Sequence, residues 1–120
     1  MTVKGGISME LLVFVINDTR ELEDIMVEFT NVGISGSTII DSVGMANILT
    51  SCEEASMFSS LKLLLNKSET PKKTVLTVLE ENKVDKAIEI IEKVTGGLSA
   101  AGKGIAFTLP VGKVVGGAFK

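Results

Sequence analysis

Histidine, tryptophan and tyrosine are absent from the chain, and cysteine occurs once, at Cys52. Without histidine the Ser-His and Cys-His nucleophilic pairs are excluded, and so is the commonest zinc ligand. A single cysteine closes no disulfide within the chain, and with no base to activate it Cys52 reads as a small apolar residue. No basic stripe is visible at a net charge of −3, so nucleic acid is not an expected partner. Aromatic residues are only 4% of a chain that is 45% apolar, which leaves the core to Ile, Leu, Val, Met and Ala. The longest unbroken apolar run, residues 11–16, is far short of the roughly 20 that span a bilayer. No signal peptide is apparent, and the expected compartment is the cytoplasm.

What is present is a surplus of greasiness. The mean hydropathy of +0.40 is high for a small soluble chain, and with no membrane span to absorb it, the excess points to surface buried between subunits. At 120 residues the chain makes one domain, 1–120, with a modest core. Residues 1–9 read as a flexible lead-in.

Periodicity then divides the chain. Residues 10–17 (ELLVFVIN) form an apolar, β-branched run expected to be a central strand covered on both faces. Asp18 with Glu21 three positions later forms a capping-box pattern. Leu22, Ile25, Met26, Phe29 and Val32 follow at helical spacing, and Gly33 stops the helix. Residues 36–43 (GSTIIDSV) are a second strand. A long excursion over 44–70 comes next, with a helix expected over 52–65: Ser51 and Glu54 make another capping box, and Ala55, Phe58, Leu61, Leu64 and Leu65 form a stripe. Residues 72–79 (KKTVLTVL) are a third strand. Asn82 and Asp85 are expected to cap a helix carrying Val84, Ala87, Ile88, Ile91 and Val94, which Gly96 ends. Ile105, Phe107 and Leu109 then alternate with Ala106 and Thr108 in a fourth strand.

Two β-α-β halves around one long excursion predict an α+β fold, the ferredoxin-like βαββαβ sandwich. Its sheet is antiparallel and four-stranded, with both helices on one face and an extra helix in the loop after strand two. The other face, apolar on all four strands, needs covering, an independent reason to expect assembly.

The stretch 95–111 is the candidate site. Four glycines in the nine residues 96–104 allow positive φ and close approach of backbone N–H groups to a ligand, and Lys103 supplies one ammonium for an anion. Gly97 with Gly102-Lys103 matches most of the phosphate-loop pattern. However, Gly104 stands where Ser or Thr would hold magnesium, and the order is helix-turn-strand rather than strand-loop-helix. A helix-ending turn with no ligand is the plainer alternative.

Thr95-Gly96, Gly102-x-Gly104 and Phe107-x-Leu109-Pro110-Val111, with the long loop after strand two and the order of elements, make the chain resemble the PII family of nitrogen and carbon signalling proteins. The likeness runs from Glu10 to Gly117. Aligned on Leu-Pro-Val, Gly102 and Gly104 fall on family glycines, while Lys103 takes an Asp position and Ile105 a Lys position. The resemblance implies a homotrimer that binds adenine nucleotides (ATP, ADP or AMP) in clefts between subunits. It also implies docking, through the loop after strand two, on a membrane transporter or metabolic enzyme. The implied nucleotide-facing positions are Gly36, Ser37, Thr38, Gly44, Thr95, Gly96, Gly102, Lys103 and Gly104. A regulatory protein and not an enzyme is expected; a purely structural oligomer is the rival reading.

Overall fold

A computed structural model describes residues 8–45, 72–100 and 102–117. Strand β1 (Met9–Ile16) runs antiparallel to β3 (Lys72–Glu80) on one side and to β4 (Ile105–Val111) on the other. Strand β2 (Ser37–Ser42) pairs with the outer side of β3, giving the order β2-β3-β1-β4. Helix α1 (Thr19–Asn31) joins β1 to β2, and α2 (Val84–Thr95), entered through a 3-10 turn at Glu81–Lys83, joins β3 to β4. The architecture is the ferredoxin-like α+β arrangement expected. The helix expected over 52–65 and nearly all of the 44–70 excursion lie outside the described residues, as do residues 1–7 of the lead-in. Met9 belongs to β1 rather than to a flexible lead-in: it is the strand's first residue and is buried.

The period of two decides which residues make the core. Leu12, Phe14 and Ile16 on β1 and Val75 on β3 share one face, and α1 and α2 bury it with Leu22, Ile25, Phe29, Ala87, Ile90 and Ile91. Phe14 and Phe29 meet edge to face with centroids 6.0 Å apart, a favoured geometry for aromatic pairs. Ile90, absent from the expected stripe, is as deeply buried as its neighbours.

Both ends of α1 follow from its sequence. Asp18 Oδ1 accepts from the Arg20 N–H at 2.8 Å and the Glu21 N–H at 3.4 Å. At the other end Gly33 takes a left-handed φ of +82°. Its N–H donates to the Thr30 carbonyl and that of Ile34 to the Phe29 carbonyl. This double bond pattern is the Schellman termination, with buried Ile34 and Phe29 as its hydrophobic contact. The start of α2 departs from expectation. Its N-cap is Lys83, with no side-chain cap hydrogen bond, because the chain enters through the 3-10 turn and the Val84 N–H already bonds the Glu81 carbonyl. Lys86 pairs with Glu89 three residues on, while Lys93 reaches across to Glu28 of α1.

Among the described residues no helix covers the second face of β1, where Val13 is buried and Leu11 and Val15 are half-buried, so the two-sided burial its apolar run suggested is met only in part. Register places Leu11, Val13 and Val15 on it, beside Leu76 and Val78 of β3 and Ile105, Phe107 and Leu109 of β4. The last three are 56%, 43% and 48% exposed.

Candidate functional site

Three segments converge at one end of the sheet: the end of β1, the start of β3 and the turn into β4. Val15 pairs with Ile105 on one side and Thr74 on the other, so Asn17 leaves β1 between the turn and Lys72. Its side chain joins the two. Asn17 Nδ2 donates to the Gly102 carbonyl at 2.8 Å, and Lys72 Nζ donates to Asn17 Oδ1 at 2.8 Å.

The turn is built by short local rules. Gly96 ends α2 in the left-handed region at φ +80°. Thr95, buried, donates its hydroxyl to the Ile91 carbonyl at 2.7 Å and accepts from the Gly97 N–H at 3.3 Å. The Leu98 N–H donates to Glu92 Oε2 at 3.2 Å, and the Lys103 N–H to the Ala100 carbonyl at 3.3 Å. Gly104, at φ +130°, lies so close to β1 that a methyl group there would overlap the Val15 carbonyl oxygen. The Lys103 ammonium sits 3.9 Å from Glu21 Oε2, both side chains part-exposed. Glu21, read from the sequence as the returning half of a capping box, thus aims its carboxylate at the turn. The helix-turn-strand order stands as expected and is not that of a phosphate loop.

The remaining positions lie elsewhere. Ser37 faces the helices, its hydroxyl bonded to that of Thr77 at 2.7 Å. Thr38 is exposed on the helix-free face, Gly36 stands in the open just before β2, and Gly44 follows β2, half-buried. β2 and β4 are opposite edges of the sheet, three strand spacings or about 14 Å apart. One chain therefore brings 102–104 together with Asn17, Lys72 and Glu21, and does not bring them together with residues 36–38. Asn17 and Lys72 were missed as site residues. The only signal they gave was a polar residue at the end of one apolar run and a lysine at the start of another. Among the described residues no group of His, Cys, Asp and Glu could hold a metal ion, and no helix is long and apolar enough to cross a membrane.

No protein-family model and no curated protein matches the sequence. Solved structures do. The chain is similar to Arabidopsis thaliana PII bound to citrate, at 15% identity over 89% of this chain and 80% of that one, with a TM-score of 0.57. The fold is PII-like. A functionally unknown protein from Pediococcus pentosaceus is similar at 14% identity over 92% and 98% of the two chains, TM-score 0.60. At such identities the PII-like fold is what is shared, and the chemistry of the turn has to be argued from its own residues.

Proposed function

We propose that the chain is a PII-like regulatory protein, a binder rather than an enzyme, that forms a cytoplasmic homotrimer and senses a small anionic effector between subunits. The observation that carries this reading is the placement of the candidate residues on both edges of one sheet. An effector touching 36–38 and 102–104 together requires two copies, each lending one edge. The apolar helix-free face lies between those edges and gives the copies a reason to meet. The effector class is an adenine nucleotide (ATP, ADP or AMP), with Lys103 and Lys72 as the nearby ammonium groups. Citrate, named with Arabidopsis PII, is a second anion to try. Docking on a transporter or metabolic enzyme through 44–70 is the matching output.

The test is light scattering of the purified chain together with thermal shifts against ATP, ADP, AMP, cyclic nucleotides, bicarbonate and citrate. A ligand at a hundredfold excess over its Kd adds about 2.7 kcal/mol, enough to raise Tm by several degrees. The expected result is a trimer mass and a shift that Lys103→Ala removes. A monomer at tens of micromolar would sink the proposal. One observation favours the structural oligomer instead: the Thr95 and Ser37 hydroxyls and the Lys103 ammonium all have partners within the chain. A trimer with flat responses across the panel would support that reading.

A further inference from the structure

We infer that Asn17 is a mechanical link through which the 96–104 turn and the start of β3 sense each other. The two hydrogen bonds of its amide join residues separated in sequence by 85 and by 55 positions. No choice is left in how the amide is oriented. An ammonium has only hydrogens to give, so the atom facing Lys72 must be the oxygen, and the atom facing the Gly102 carbonyl must then be the NH₂. Lys72 therefore fixes the rotamer in which Asn17 can hold Gly102. It does so with no hydrogen bond of its own to the described residues of the turn.

The link has little redundancy. Among the described residues the other ties of residues 102–104 to the body are the close contact of Gly104 with Val15 and the long Lys103–Glu21 pair. An exposed ion pair at that distance contributes little. The bridge also sits at a junction: Lys72 opens β3, the strand that leads out of 46–71, so a displacement of either side reaches the other through one amide. Coupling of this kind is reciprocal. A ligand that pulls the Gly102 carbonyl away frees Lys72, and whatever draws Lys72 away loosens the turn. That regulatory consequence rests on the turn being the effector site. The link itself is measured without an effector, so its failure and the failure of that reading are separate results.

The reporter is amide hydrogen exchange of Lys103, whose N–H bonds the Ala100 carbonyl inside the turn, followed by NMR in the full-length, ligand-free protein. Asn17→Ala is expected to speed that exchange by about threefold or more, the size of one ordinary hydrogen bond. Lys72→Met should do nearly the same although Lys72 makes no hydrogen bond to the described residues of the turn, and the double variant should exchange no faster than Asn17→Ala alone. Asn17→Asp keeps an acceptor for Lys72 but sets oxygen against the Gly102 carbonyl, so it should loosen the turn as Asn17→Ala does. Unchanged thermal melts would show that these exposed substitutions leave the fold intact. Lys72→Met leaving the Lys103 exchange within twofold of wild type, or effects that add in the double variant, would overturn the link.

Discussion

Residue identity at the turn is constrained by space at one position and by backbone angle at several. Gly104 combines both: a φ of +130° that side chains rarely adopt and a carbonyl of β1 where a Cβ would go. Gly36 has a comparable left-handed φ of +80° but nothing within reach of a Cβ. The comparison separates the two costs. Gly36→Ala should lose about 1 kcal/mol, the usual steric charge for a left-handed residue. Gly104→Ala must also displace the end of β1 or the start of β4 and should lose about 3 kcal/mol or more. Urea unfolding of the two variants measures the difference. Equal losses would mean that the turn yields freely and that Val15 does not define it.

Among the elements, β2 is held differently from the rest of the sheet. Its side chains contribute little to the core; it is joined to β3 by hydroxyl pairs, Ser37 with Thr77 and Ser42 with Thr74, each at 2.7 Å, and by the Asp41–Lys73 ion pair. Thr77 is fully buried, and Ser37 is its side-chain hydroxyl's one partner among the described residues. Removing that partner strands a buried polar group. Ser37→Ala should therefore cost about 1–3 kcal/mol, whereas Ser37→Ala with Thr77→Val should recover most of the loss. Thermal melts of the single and double variants check this, and a double variant as unstable as the sum of its parts would refute it. The elements themselves were legible wherever the determinant was local. Asp18, Gly33 and Gly96 mark helix ends by rules that need only a few neighbouring residues, and the 3.6-residue stripes found the buried faces of α1 and α2. The 3-10 entry to α2 was not legible, because Asn82 and Asp85 look like caps whether or not the preceding backbone is already satisfied. The Asn17 bridge was hidden for a stronger reason. It exists only because register sets the end of β1 against the starts of β3 and β4, and no window along the chain contains that information.

For the whole molecule, the decisive quantity is the apolar face opposite the helices. The run 11–16 is apolar at every position, which a strand with one wet face would not need. Even-numbered residues answer to the helices, and the odd-numbered ones, Leu11, Val13 and Val15, lie beside Leu76, Val78, Phe107 and their neighbours on a face that no helix among the described residues covers. A patch of this kind is uncommon on a soluble monomer, and it explains the high mean hydropathy without a membrane span. Phe107 pairs with Val13 near the middle of β4, so a charge there would be buried in any assembly that covers the face, yet would meet water in an isolated chain. Phe107→Glu should accordingly leave the fold intact by circular dichroism while shifting the mass by light scattering to that of the single 12.7 kDa chain. Val27→Glu, on the outer side of α1 and 60% exposed, is the control and should leave the mass unchanged. If Phe107→Glu keeps the wild-type mass, the sheet face is not where copies meet. The two edges that carry the candidate residues would then not be brought together across this face.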